Sequence, residues 1–183
     1  EYTPVAGTGG ATAFGGRIEA WATERLRFGA TVMTETAGAD NQQIGGLDLR
    51  YHISEQSFAE LEFARSDGPG ISRATSTDGG LSIITTGGAL AEADALRFDS
   101  RFALQDLGLS NEGHIGLYAE RKEAGFSTLT EDITDDQTLI GFEGEIAVSE
   151  RLTFRGYVES FETDGGEEKR SAEVNAFFDF NDD

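Results

Sequence analysis

Few residues of this chain could do chemistry, and their placement favours none. His52 and His114 are the side chains best suited to hold a metal or carry a proton, and they fall on separate alternating segments, which predicts two isolated histidines. The chain has no cysteine, so thiolate sites and disulfides are excluded. No serine stands in a Gly-x-Ser-x-Gly elbow, and the glycine-rich residues 7–10 and 87–88 lack the context of a phosphate loop. We predict no catalytic, cofactor or metal site, and no enzyme.

Acidic residues dominate the charge. The formal net charge of −20 comes from 34 acidic and 14 basic residues, which argues against nucleic acid as a partner because phosphate binding requires a basic surface. Two acidic runs, residues 131–136 and 164–168, offer the oxygen ligands that calcium prefers, but not in EF-hand spacing. Divalent cations at these acidic loops are therefore candidate partners, and solvation of the loops is the simpler interpretation.

Arginines and carboxylates also recur at alternate positions within apolar segments. The two signs are mixed, and guanidinium groups pair well with carboxylates in a confined space. Paired carboxylates such as Glu60 and Glu62 therefore indicate a salt-bridge network rather than a glycosidase pair. The predicted network comprises Arg17, Glu19, Arg27, Asp48, Arg50, Glu60, Glu62, Arg97, Asp99, Arg101, Glu143, Glu145, Arg155 and Glu159.

The elements that position these side chains alternate with a period of two, which predicts β-strands. Leu26, Phe28 and Ala30 fall on one face, for example, and Arg27 and Thr31 on the other. Most segments have the roughly 9–11 residues that a tilted strand needs to cross a bilayer. Nine such segments lie near residues 12–22, 25–35, 42–53, 57–66, 91–105, 113–122, 137–148, 151–161 and 170–180.

The connections between segments appear in two lengths. A hydroxyl residue followed by glutamate recurs in the short turns, at residues 22–26, 148–152 and, more weakly, 53–56, and residues 106–111 make a fourth turn. The longer connections are residues 36–41, 67–90, 123–136 and 162–169. Short and long connections are predicted to alternate strictly, which places all the short turns at one end of an antiparallel sheet, as in transmembrane barrels. The longest connection, residues 66–89, is the leading candidate for a binding or gating element.

Alternation alone permits two inverse arrangements. In a membrane barrel the apolar face meets lipid and the charged face fills the lumen, whereas in a soluble β-barrel the apolar face forms the interior and binds a small apolar ligand. Strand length and one-sided loops favour an up-and-down transmembrane barrel of eight to ten strands, formed by residues 1–183 as one domain or as the terminal part of a larger barrel. An odd count of nine leaves three resolutions open: a tenth strand at residues 2–10, local pairing at residues 82–86, or missing strands.

The hairpin pattern and the last segment, which runs through Val174, Ala176 and Phe178 to Phe180, resemble bacterial outer-membrane β-barrel proteins. The repeated runs at residues 46–51 and 59–66 also look like the C-terminal barrels of large proteobacterial surface proteins. The resemblance implies a bacterial outer-membrane location, with the lipid bilayer, lipopolysaccharide and the outer-membrane assembly machinery as partners. It implies that Phe178 and Phe180 form the assembly signal, although three residues follow Phe180 here. It also implies a non-enzymatic structural or surface-contact role, or a narrow pore.

Overall fold

The computed structural model describes residues 12–37, 40–68, 73–75, 84–86, 91–128 and 133–180. These residues form an all-β structure. Among the residues that it describes, none forms a helix with the length and hydropathy needed to span a bilayer. The strands are β1 (Thr12–Trp21), β2 (Leu26–Ala37), β3 (Asp40–His52), β4 (Phe58–Gly68), β5 (Arg73–Thr75), β6 (Ile84–Thr86), β7 (Ala91–Ala103), β8 (Gly113–Lys122), β9 (Gln137–Ser149), β10 (Leu152–Thr163) and β11 (Glu168–Phe178).

Nine of these strands form one antiparallel up-and-down sheet in the order β1-β2-β3-β4-β7-β8-β9-β10-β11. They correspond to the nine segments predicted from alternation. β5 and β6 pair only with each other, inside the connection between β4 and β7, so the local pairing anticipated near residues 82–86 adds no strand to the main sheet.

Two features of the predicted architecture need correction. The sheet is not closed into a barrel, because within the described residues β1 and β11 are its two free edges. The strict alternation of short and long connections is also wrong. The β2–β3 ladder extends to the pair Ala37 and Asp40, which leaves only residues 38–39 as the connection, and residues 164–167 are all that separates β10 from β11. Residues that were predicted as loops because they are polar are part of the paired strands, since the ladders extend to the ends of the strands.

We name the two ends of the sheet by their connections. The turn end carries residues 22–25, 53–57, 104–112 and 150–151, and the loop end carries residues 38–39, 69–90, 123–136 and 164–167. The asymmetry between the ends therefore rests on two loop-end connections only, the one between β4 and β7 and the one between β8 and β9.

The hydroxyl residues of the repeated turns hold the backbone of those turns. Thr23 Oγ1 accepts a hydrogen bond from the backbone N–H of Leu26 at 3.0 Å, and Ser54 Oγ accepts one from Ser57 at 3.1 Å. Ser149 Oγ accepts one from Arg151 at 3.4 Å. Side-chain oxygens that bond the backbone two or three residues ahead are what make serine and threonine favourable in tight turns. This is the physical basis of the sequence repeat.

The register advances steadily in one direction across the sheet. A single row of directly opposed partners starts at Ile18, three residues before β1 ends at the turn end, and finishes at Glu168, the first residue of β11 at the loop end. Such a stagger means that the strands are tilted relative to the direction across the sheet, as strands around a barrel are. The row is Ile18, Ala30, Leu47, Phe63, Leu96, Arg121, Thr138, Glu162 and Glu168.

The two faces of the sheet differ in chemistry, as the alternation predicts. One face, the apolar face, exposes large side chains on all nine strands; Ile18 is 75% exposed, Leu47 63% and Val174 78%. The opposite face, the polar face, carries the arginines and carboxylates. The buried side chains in the described residues are Leu104, a few alanines and serines, Gln42 and Asp48 on β3, and Phe126 and Ile133 in a loop. Nothing in the described chain covers the apolar face.

Two neighbouring turns are joined at the turn end. Ser54 Oγ donates to Asp106 Oδ2 at 2.5 Å, and Ser57 Oγ donates to the same carboxylate oxygen. Ser57, which is fully buried, also accepts a hydrogen bond from Ala103 N at 2.8 Å. The turn between β3 and β4 is therefore fixed to the turn between β7 and β8, across the longest connection of the chain.

We expect this contact to make stability depend on pH. Hydrogen bonds from Ser54 and Ser57 lower the pKa of Asp106 below its usual 3.8. A carboxylate with a lowered folded-state pKa stabilises the fold above its unfolded pKa, and this contribution is lost as the pH falls through the folded value. Asp106→Asn should therefore unfold at lower urea than the unchanged chain at pH 7, and the gap should close below about pH 3.8.

The measurement is the urea midpoint of the β-sheet circular dichroism signal at both pH values. Glu150→Gln, which changes an exposed carboxylate in another turn, is the matched control and should leave both midpoints unchanged. A gap between Asp106→Asn and the unchanged chain that is equally large at pH 3 and pH 7 would contradict the assignment.

Candidate functional site

The polar face is the candidate functional site, because it gathers the charged side chains of all the long strands. Its first half is a cluster that we call the β1–β4 network. Arg17 Nη2 lies 2.8 Å from Asp48 Oδ1, and Arg27 Nη2 lies 2.9 Å from Glu60 Oε1. The formal charges of the cluster cancel, with three cations and three anions. Its members are Arg17, Glu19, Arg27, Asp48, Arg50 and Glu60.

Two of the closest contacts of this network skip a strand. Arg17 is on β1 and Asp48 on β3, while Arg27 is on β2 and Glu60 on β4. Adjacent strands lie about 4.8 Å apart, so such a pair spans about twice that distance. Long guanidinium side chains bridge it when the face that carries them curves inward. The ion pairs therefore join strands that share no backbone hydrogen bonds.

A glycine in the middle strand makes room for the contact between Arg17 and Asp48. Gly29 stands between Glu19 and Asp48 in the register, and a Cβ atom at Gly29 would collide with the Asp48 carboxylate. A methyl group on Gly141 would likewise collide with the ring of Tyr118. That ring reaches over Gly141 from β8, and its hydroxyl donates to Glu159 Oε2 on β10 at 2.8 Å.

The second half of the polar face is less completely paired. Arg155 Nε donates to Glu145 Oε2 at 2.7 Å, and Arg97 lies 3.6 Å from Asp99. Arg101 contacts His114 Nδ1 at 3.1 Å rather than a carboxylate. The structure therefore brings most of the predicted network residues into ion pairs. Among the described side chains, Glu62 and Glu143 have no cation within 4.0 Å, and each lines a separate cavity of the polar face.

The two histidines lie closer to a common space than their sequence segments suggested. Both border a cavity of about 300 Å³ at the turn end of the polar face, together with Arg50 and Arg101. His52 also packs against Trp21, with ring centroids 5.5 Å apart. The described residues contain no group of three side chains able to hold a metal ion. The prediction of no metal site remains a prediction for the whole chain.

A feature that the sequence did not predict is the inward segment, by which we mean residues 123–128 and 133–136 of the connection between β8 and β9. Phe126 and Ile133 are 5% and 4% exposed and pack with Ala93 against Ala64 and Ala95 on the polar-face side of β4 and β7. This is the hydrophobic cluster of the described chain. The connection therefore folds over the polar face at the loop end.

Hydrogen bonds fix the inward segment to β3 and β4. Gln42 Nε2 donates to Ser127 Oγ at 2.8 Å, and Ser127 N donates to Ser66 Oγ at 3.0 Å. Ser66 and Ser127 are almost completely buried. Phe126 and Ile133, two large apolar residues inside an acidic polar run, were the signal in the sequence, but a period-two search passes over them because they are seven residues apart in a loop.

The acidic residues of this connection cap backbone groups. Asp136 Oδ1 accepts a hydrogen bond from Ala124 N at 2.8 Å, and Glu123 Oε2 accepts one from Asp94 N at 3.1 Å. Asp136 also lies 3.4 Å from Arg121. The described carboxylates are thus engaged in holding the segment, and residues 131–132 of the predicted cation-binding run lie outside the described residues.

Two further sequence predictions have an incomplete structural outcome. Of the long connection at residues 66–89, the structure describes only its first residues and the short β5–β6 hairpin, so its role remains a prediction. Phe178 is the last residue of β11, and Phe180 follows the strand, with the two rings 4.7 Å apart. Both are exposed at the turn end, and their role as an assembly signal is untested.

Comparison with known proteins identifies no relative. No family model matches the chain, no curated protein matches it, and no solved structure matches it.

We expect the glycines beneath the polar face to be intolerant of even a methyl group. Gly29→Ala forces the Asp48 carboxylate away from Arg17 and should destabilise the sheet by about 1–3 kcal/mol, the usual cost of overpacking. Gly16→Ala is the matched control, since a Cβ there meets nothing within 4 Å and the substitution removes unfolded-state entropy. The measurement is the free energy of unfolding in urea, and equal values for the two variants would contradict the proposed role of Gly29.

Proposed function

We propose that this chain is a non-enzymatic, membrane-inserted β-barrel protein of the bacterial outer membrane, whose apolar face contacts lipid and whose polar face lines a narrow interior. The observation that carries the proposal is the exposure of large apolar side chains along all nine strands of the apolar face, whereas the polar face exposes few, such as Trp21, Tyr157 and Phe177. In water such a surface is far larger than the few hundred Å² that a soluble monomer usually exposes. In a bilayer it becomes the favourable contact.

The apolar face is also bounded along the strands, at a height somewhat below the apolar band of about 25 Å in outer-membrane barrels. On β9 it runs from Ile140 to Val148, which is roughly 26 Å along the strand and roughly 20 Å across a bilayer at a tilt of about 40°. At the loop end the same face turns charged. Arg65 forms a bidentate pair with Asp94 there, at 2.6 and 2.7 Å, and Arg121 lies on β8 at a similar level. Charged side chains at this border suit the headgroup region, with lipopolysaccharide as the outer partner.

A structural or surface-contact role is favoured over a general porin by what occupies the polar face. The β1–β4 network bridges alternate strands, and Tyr118 crosses Gly141 to reach Glu159. The inward segment covers the loop end. An interior filled in this way leaves little space for solute, as expected for barrels of about eight to ten strands. Passage, where it occurs, would be narrow.

The alternative is a soluble β-barrel with an apolar ligand inside. The structure has an apolar depression of about 360 Å³, bordered by residues such as Phe28, Leu47 and Phe63. The depression lies on the open apolar face of β1–β4. The ion pairs that reach across an intervening strand, such as Arg17 with Asp48, lie on the polar face. If these pairs curve the sheet toward the polar face, the depression is on the outside of the curve and not in an interior. The alternative therefore has less support than the membrane protein.

Extraction and labelling test the proposal together. The protein should need detergent to leave the membrane fraction and should migrate differently on SDS gels before and after heating. The chain has no cysteine, so single cysteines report one site each. A fluorophore on Leu47→Cys should be quenched strongly by nitroxide lipids, and one on Glu62→Cys, at nearly the same level on the next strand but on the opposite face, should be quenched several-fold less.

Equal quenching at the two sites would contradict the assignment of the faces. A monodisperse preparation without detergent would contradict membrane insertion itself and would favour the soluble alternative.

The inward segment should limit conduction. Single channels of the unchanged protein in planar bilayers are expected to show low conductance, and the double variant Phe126→Ala, Ile133→Ala should raise it because the segment loses its anchor among Ala64, Ala93 and Ala95. Leu107→Ala, Leu109→Ala removes two exposed apolar residues at the turn end and should leave conductance unchanged. A rise in both variants would indicate general loosening rather than release of the segment.

A further inference from the structure

The two free edges of the sheet are long and carry little of the usual protection of edge strands, which on β11 is limited to Lys169. β1 has ten residues and contains neither proline nor lysine. All ten are exposed, and β11 is exposed along almost its whole length. Soluble proteins shield such edges with proline, lysine or bulges because an open row of N–H and C=O groups recruits other strands. Among the described residues of the main sheet, a register irregularity is found between β9 and β10, away from both edges.

The two edges do not meet. No Cα atom of β1 lies within 8 Å of one of β11, whereas adjacent paired strands lie about 4.8 Å apart, so the two edges are not paired with each other. In a bilayer a gap between these edges is costly, because lipid offers no hydrogen bonds to the backbone groups on either edge. The register shifts steadily from Ile18 to Glu168, and a sheet needs such a stagger to close into a barrel.

Strand direction decides what can fill the gap. The nine strands alternate in direction, so β1 and β11 both run from the loop end to the turn end. A strand that pairs antiparallel with both must run the other way, and only an odd number of additional strands satisfies both edges. Direct pairing of β1 with β11 would be parallel.

A second copy of the sheet cannot supply this strand. In two copies that share one orientation in the membrane, β1 and β11 of both copies all run in the same direction. Any pairing between an edge strand of one copy and an edge strand of the other would therefore be parallel. An antiparallel seam between copies requires one copy to be inverted, which would place the long connections on both sides of the membrane. Insertion from one side excludes that arrangement.

We propose that the edges of β1 and β11 form a strand-binding site that is filled by an odd number of antiparallel strands, in the simplest case one, from the same polypeptide outside residues 12–178. The strand that contacts β1 carries apolar residues level with Phe14 and Ile18 and polar residues level with Arg17. It runs from the turn end to the loop end. This inference rests on the proposed membrane barrel, and it specifies how that barrel closes.

Hydrogen exchange on the full-length polypeptide in detergent or bilayers tests the pairing. The outward-pointing amides of β1 and β11 should exchange as slowly as those of β10, which has partners on both sides. Fast exchange on either edge would overturn the proposal.

Disulfide trapping tests which strand is adjacent. Ile18→Cys combined in turn with a cysteine at Ala172, Val174 or Ala176 should give no intramolecular disulfide under oxidation, whereas Ile18→Cys with Ala30→Cys, a directly opposed pair on β1 and β2, should cross-link. An intramolecular disulfide between β1 and β11 would show that the two edges pair directly in parallel. A disulfide between two copies would show a dimer. Either result would contradict the proposal. If the amides of β1 and β11 exchange slowly in a preparation that needs no detergent, the membrane location is rejected. The strand-binding site would still stand in that case.

Discussion

Contact between charged side chains across an intervening strand is the interaction on which the polar face depends. Backbone hydrogen bonds join each strand only to its neighbours, so they determine order and register but leave the curvature of the sheet free. The pair of Arg17 with Asp48 and the bond from Tyr118 to Glu159 join second neighbours. Each passes over a glycine, Gly29 or Gly141. These two contacts therefore require both that the sheet curves toward the polar face and that the middle strand carries no side chain at the crossing point.

The same constraint explains why the apolar face stays uniform. With nearly all charges directed to one side, the other side carries leucine, isoleucine, valine and phenylalanine with small residues between them. Charges return to it only near the loop end, where Arg65 pairs with Asp94. Soluble monomers rarely expose a contiguous apolar surface of that size, and the described residues offer no second layer to cover it.

Much of the fold could be predicted from the sequence, because a period of two acts locally and identifies each strand and its faces without knowledge of its partners. The ion-pair candidates followed from the same count. What failed were properties that depend on pairing. The ladder between Ala37 and Asp40 converted a predicted loop into strand, and sheet closure depends on edges that local patterns do not describe. The inward segment escaped because Phe126 and Ile133 find their partners on distant strands.

The longest connection divides the sheet into β1–β4 and β7–β11, and this division bears on the order of folding. Within each part every strand pairs with the strand next to it in sequence, so hairpins can form and extend with little loop-closure entropy. Joining the parts requires closing the connection of residues 69–90, the largest entropic step in the sheet. The hydrogen bonds that Ser127 makes with Gln42 and Ser66, and those that Asp106 accepts from Ser54 and Ser57, all cross that boundary. They can form only once the two parts have met, so they contribute nothing to the stability of either part alone.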